Sequence, residues 1–163
     1  MCDLSKTKTG ALVVIENTTK LGDYIQSGKI VDAKITTPLL KNIFFNKAPL
    51  HDGAVIIRGL RIYAAGCFLP LASRDDMVGN LGSRHRAAVG VSENSDALVI
   101  VVSEETGTIS VAYQGEMSRQ YSYDKLYEVV QSFFMAQNIK PHLKKTKKIR
   151  KAESTTEPVE TEK

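Results

Sequence analysis

Apolar residues in this chain come in short, nearly continuous runs separated by polar turns. Residues 10–16 (Gly-Ala-Leu-Val-Val-Ile-Glu), 54–57 (Ala-Val-Ile-Ile) and 97–103 (Ala-Leu-Val-Ile-Val-Val-Ser) read as strands buried on both faces. Residues 62–68 pair naturally with 54–57 across Arg58-Gly59-Leu60-Arg61, and 108–113 pair with 97–103 across Glu104-Glu105-Thr106-Gly107, giving two hairpins. Residues 30–35 alternate and predict a short strand. Helical spacing appears in residues 20–27, which Gly28 stops. It returns after Thr36 or Thr37, where Pro38 opens a helix with Leu39, Leu40, Ile43 and Phe44 on its buried stripe. A further helix, with Ser83 as its candidate cap, ends near Asn94. The last is capped by Ser122 and carries Leu126, Val129, Val130 and Phe133. Strands and helices mix, and two hairpins lie among the helices. The prediction is an α/β fold, one domain with a mixed central sheet flanked by helices.

At 163 residues the chain is long enough for one real core. Residues 1–9 are polar and without period, and read as a flexible lead-in; 10–139 form the domain; 140–163 form a basic, then acidic, disordered tail. The net charge of +4 is confined to that tail, which holds 8 basic and 4 acidic residues, whereas residues 1–139 hold 14 of each. A neutral body argues against broad electrostatic binding to nucleic acid. The tail lacks the interleaved aromatics of a base-stacking RNA module; it reads as a solubilising tail, with attraction to an anionic membrane as the rival. Cys2 and Cys67 are too few for a disulfide scaffold, and Cys67 in an apolar strand reads as a buried free thiol in a reducing compartment. No run is long enough for a membrane helix.

Two polar clusters interrupt the apolar pattern. His51-Asp52-Gly53-Ala54 puts an imidazole and a carboxylate at the lip of a strand, a turn by its bland reading and a metal or proton-transfer site by its functional one. Gly82-Ser83-Arg84-His85-Arg86 puts two guanidinium groups at a helix start, a setting that suits phosphate. Residues two apart lie about 200° around a helix, so Arg84 and Arg86 cannot both face the same ligand through the helix surface.

Asp52-Gly53-Ala54 and Arg84-His85-Arg86, in this order and followed by Val-Ser-Glu-Glu-Thr-Gly, resemble the paired motifs of the diadenylate cyclases, over roughly residues 9–134. The resemblance implies a mixed sheet flanked by helices and the joining of two ATP into cyclic di-AMP with release of pyrophosphate. It implies two domains face to face, a homodimer with one ATP in each copy. Asp52 would activate the ribose 3′ hydroxyl, and His51 with Asp52 would hold a Mg or Mn ion. Gly53 and Ala54 would admit the nucleotide. Arg84, His85 and Arg86 would serve catalysis, while Gly82 and Ser83 would hold phosphate. Ser103, Glu104 and Glu105 would contact phosphate or metal, against a bland reading as a solvated turn. Phe68 and Leu69 would line the adenine pocket, against a bland reading of Phe68 as core.

The sequence departs from the common members in three ways. No transmembrane helices precede the domain, so a membrane anchor on a longer native chain is an expectation, with the domain itself cytoplasmic. Ser83 stands where Thr is more usual. No DNA-binding domain is appended. The competing class is a module that binds ATP or cyclic di-AMP without turnover, which needs neither Asp52 nor a metal.

Overall fold

A computed structural model describes residues 1–72 and 82–138. The elements follow the chain as α1 (Cys2–Lys6), β1 (Ala11–Ile15), α2 (Gly22–Ile25), β2 (Lys29–Lys34), α3 (Thr37–Ile43), β3 (Ala54–Arg58), β4 (Arg61–Cys67), α4 (Ser83–Glu93), β5 (Leu98–Val102), β6 (Ile109–Tyr113), β7 (Glu116–Arg119) and α5 (Tyr123–Ala136). The strands form one seven-stranded sheet in the order β2-β4-β3-β1-β5-β6-β7. Among the described residues only β1 and β3 pair in parallel, and the other ladders are antiparallel. The sheet is therefore mixed, as expected.

The continuous apolar runs are explained by helices on both faces. Val13, Ile15, Val55, Ile57, Ile100 and Val102 point to one side, where Leu4 of α1, Ile43 of α3 and Leu126 and Phe134 of α5 cover them. Leu12, Val14, Ile56, Val99 and Val101 point to the other, beneath Leu21, Ile25 and the small residues Ala87, Ala88 and Val91 of α2 and α4. Thr36 caps α3, its Oγ1 accepting from the Leu39 N–H, and Ser122 caps α5 through Lys125. Cys67 is a buried free thiol, and burial pushes its pKa up to about 11.

Three expectations need correction. Within the predicted lead-in, Cys2–Lys6 form α1, whose single buried side chain, Leu4, sits in the core. One apolar residue makes no period, so only the tertiary contact reveals this helix. Residues 116–119 form an edge strand that the sequence does not signal, because Met117 is its one apolar side chain. Ser83 does not cap α4. Gly82 holds the cap position in an extended conformation, and Ser83 is the first helical residue, with no side-chain cap bond. Residues 73–81 and the predicted tail 140–163 lie outside the described residues.

Candidate active site

Strand directions bring the predicted residues to one edge of the sheet. Parallel pairing of β1 with β3 puts Gly10 and His51-Asp52-Gly53 at the same end. Antiparallel pairing sends β4 and β5 out at that end, since Ala54 lies opposite Cys67 and Ala11 opposite Val102. Phe68-Leu69 and Ser103-Glu104-Glu105 therefore emerge beside them. The start of α4 joins this edge through an ion pair from Arg84 Nη1 to Glu104 Oε2, 2.7 Å long.

The turn into β3 is tightly built. His51 Nδ1 lies 2.6 Å from the Ala48 carbonyl oxygen. A carbonyl only accepts, so Nδ1 is the donor in this bond and Nε2 is the ring nitrogen left outside it. Asp52 is exposed. Gly53 adopts φ +103°, and a Cβ there would come within 2.8 Å of the Gly66 carbonyl carbon and 2.9 Å of the Cys67 oxygen. Glycine is thus required twice, for the dihedral and for the close backbone crossing. Ala54 is fully buried and anchors the turn to the sheet.

At α4, the His85 and Arg86 N–H groups both bond the Gly82 carbonyl, at 3.0 and 3.2 Å. The uncapped N–H groups of Ser83 and Arg84 precede the first helical acceptor and give this end its partial positive charge. His85 is buried at 5% exposure. Its Nε2 and the Arg84 Nε have no hydrogen-bond partner among the described residues. Burial lowers the His85 pKa below its ordinary value, Arg119 and Arg84 lower it further, and Glu105 opposes them. The imidazole is accordingly neutral near neutral pH. Arg86 is half-buried, and its carbonyl accepts from the Ala72 N–H at 3.0 Å, which ties the chain leaving β4 onto α4.

Ser103 shapes the acidic turn. Its Oγ accepts from the Thr106 N–H and its carbonyl accepts from the Gly107 N–H, while Glu104 and Glu105 stay exposed. Phe68 is 62% exposed and is not core, whereas Leu69 is partly buried against the α2–α4 face. The grooves lined by α5, including one of about 360 Å³ between α1, α3 and α5, contain none of the motif residues.

A divalent cation fits this edge only in part. His51 Nε2 and the exposed Asp52 carboxylate are suitable donors, but no cluster of three His, Cys, Asp or Glu side chains exists among the described residues. Two protein donors would leave the remaining ligands of a Mg or Mn ion to substrate phosphates and water.

Sequence reasoning missed two supports. Gly10 reads only as the start of a strand, yet a Cβ there would meet Arg84 Nη1 at 2.6 Å and Glu104 Oε2 at 2.9 Å, so its bare backbone makes room for the ion pair. Ser5 of α1 donates from Oγ to the Gly107 carbonyl at 2.6 Å and braces the acidic turn. A glycine before a strand and a lone serine in a five-residue helix carry no signal on their own.

Comparison with known proteins places the chain in a family. Residues 1–117 match the model of the DAC family, described as DisA bacterial checkpoint controller nucleotide-binding. The chain belongs to this family. It is 47% identical over 131 residues to "Cyclic di-AMP synthase CdaA" of Bacillus subtilis (strain 168), covering 80% of this chain and 48% of that protein. It is 46% identical over 127 residues to a "Diadenylate cyclase" of Listeria monocytogenes serotype 1/2a (strain 10403S), covering 78% and 46%. The chain thus spans about half the length of these curated relatives. The crystal structure of DacA from Staphylococcus aureus, an N166C/T172C double mutant, superposes with a TM-score of 0.80 at 44% identity, covering 82% of this chain and 89% of that one. The crystal structure of a hypothetical membrane spanning protein from Bacillus cereus gives a TM-score of 0.71 at 46% identity, covering 74% and 59%. No helix among the described residues is long and apolar enough to cross a membrane.

Proposed function

We propose that this domain is a diadenylate cyclase, condensing two ATP into cyclic di-AMP with release of two pyrophosphates. The observation that carries the reading is the convergence of His51-Asp52-Gly53, Phe68-Leu69, the start of α4 and Ser103-Glu104-Glu105 on one sheet edge. Family membership and the names of the relatives support it.

In the proposed reaction the 3′ oxygen of one ATP forms a bond to the α-phosphorus of the other. The bond from that phosphorus to the bridging oxygen breaks, and its electron pair leaves with pyrophosphate. A second transfer in the opposite direction closes the ring. Asp52 accepts the 3′-hydroxyl proton. His51 Nε2 and Asp52 would hold a Mg or Mn ion, which would supply charge neutralisation at phosphate and a more acidic hydroxyl. The α4 N–H groups, Ser83 and one of Arg84 and Arg86 hold phosphate oxygens, and Phe68 and Leu69 hold the base. Since the edge carries one set of motifs among the described residues, the attacking hydroxyl comes from a second copy in a face-to-face homodimer. Catalysis is then mainly positioning and charge stabilisation. Likeness to the membrane spanning protein of Bacillus cereus supports a membrane-anchored setting for a longer protein carrying this domain.

The test is incubation with ATP and Mn or Mg, reading pyrophosphate and cyclic di-AMP, beside Asp52→Asn. The wild type is expected to form both. Asp52→Asn is expected to bind ATP but lose about 10²–10⁴-fold in rate, the usual loss for a group that assists proton transfer. ATP binding with no product from the wild type would leave a nucleotide-binding module. Activity of Asp52→Asn within a few-fold of wild type would remove Asp52 from its role.

A further inference from the structure

The geometry points to Ser27 as a positioning residue for base recognition: its hydroxyl fixes the Phe68-Leu69 segment against the end of α2. This rests on the reading that Phe68-Leu69 lines the base pocket.

Ser27 Oγ makes two bonds at once. It donates to the Tyr24 carbonyl at 2.6 Å and accepts from the Phe68 N–H at 2.9 Å. The first bond spends the hydroxyl proton inside the α2 turn and aims a lone pair outward; the second captures the first amide beyond β4. Phe68 lies past the ladder, since Cys67 is the last β4 residue opposite Ala54. Its amide would otherwise be left to solvent.

The end of α2 is itself immobilised. Leu21 and Ile25 are in the core, and the Gly28 N–H bonds the Ile25 carbonyl at 3.0 Å. Gly28 then lies flat on β4: a Cβ there would meet Cys67 Sγ at 2.5 Å and the Ala65 oxygen at 2.6 Å. Tyr24 and Leu69 pack against the same α2–α4 core. The stretch being held also touches the catalytic turn, because Gly53 crosses over Gly66 and Cys67. Ser27 therefore fixes the backbone of Phe68 relative to Asp52 without standing in the reaction itself.

Rigid placement of the segment that lines the base pocket governs which base fits, so the effect should fall on affinity and base choice more than on turnover. The probes are ATP and GTP analogues with an α,β-methylene bridge, which bind but cannot release pyrophosphate, titrated calorimetrically against the full chain. Ser27→Ala is expected to bind the ATP analogue about 3–10-fold more weakly, the scale of one lost hydrogen bond. It should narrow the preference for ATP over GTP and raise KM for ATP with kcat within about twofold of wild type. Ser27→Thr keeps the hydroxyl and should restore both. Unchanged affinity and base preference in Ser27→Ala, with weakened binding in Phe68→Ala, would overturn the role of Ser27 alone. Unchanged binding in Phe68→Ala as well would overturn the pocket reading beneath it. Amide exchange in the wild type needs no variant: the Phe68 N–H should be protected although its side chain is exposed, and exchange at an unprotected rate would contradict the proposal.

Discussion

His85 ties the chemistry of the motif to the stability of the fold. Its pKa is lowered by burial and by Arg119 and Arg84, against Glu105. The folded protein therefore resists protonation while the unfolded chain takes up a proton at the ordinary value of 6.5. Stability is undiminished above that pH and is lost as pH falls from 6.5 toward the lower folded pKa, where the loss levels off. Thermal melting across this window should show a declining midpoint in the wild type and a flatter profile in His85→Asn, whatever the absolute stability of the variant. Equal slopes would show that His85 does not titrate differently on folding. Glu16 and Asp96, also lowered, act in a more acidic range, below their ordinary values of 4.5 and 3.8. At this scale the places of His51, Asp52 and Arg84 at the starts of a strand and a helix were legible in the sequence, because polar residues broke apolar runs there. The partner of Arg84 was not: Glu104 is 20 positions away, and only the sheet brings it to the α4 start.

Among the elements, the central strands were legible because burial on both faces makes their sequences continuously apolar. α1 and β7 were not, since α1 has one fully buried side chain, Leu4, and β7 one apolar residue, Met117, too few to set a period. The same sheet has a second polar cluster at its opposite edge. Glu16, only 2% exposed, follows β1 and receives both Arg58 Nε at 2.9 Å and Arg58 Nη2 at 3.0 Å from the end of β3. Lys20 and the Leu21 N–H complete its partners, and Arg58 stacks 4.0 Å from the Tyr63 ring centre. Burial alone would raise the Glu16 pKa; the bonds from Arg58, Leu21 and Lys20 outweigh it and hold the carboxyl below its usual range. This clasp joins β1, β3 and the start of α2 far from the motif edge. Arg58→Ala leaves a buried carboxylate short of its main partner, and should cost about 1–3 kcal/mol in denaturant unfolding, the scale for a buried acceptor that loses a partner. ATP affinity should stay within a few-fold of wild type. A large loss of affinity without a loss of stability would mean that the two edges are coupled.

For the whole molecule, the arrangement that matters is polarity: structural charge at one edge of the sheet, the candidate chemistry at the other. The division of the chain into motifs could be seen in the sequence, but not which ends of which strands would coincide, because that depends on the single parallel pair, β1 with β3. The open motif edge brings Asp52, Glu104 and Glu105 toward the phosphates of two nucleotides if two copies meet there. Residues 1–139 are balanced at 14 basic and 14 acidic residues, so the body supplies no net attraction to offset this. Pairing should therefore be weak without ATP and metal, and each copy alone should bind ATP without turning it over.

The most direct measurement is specific activity in saturating ATP and metal as the protein is diluted, with sedimentation run under the same conditions. A face-to-face condensation predicts that activity per molecule falls as the sedimenting species shifts from dimer to monomer, and that a charge introduced on the contacting face removes turnover while ATP still binds. Specific activity that stays flat down to concentrations where only monomer sediments would contradict it.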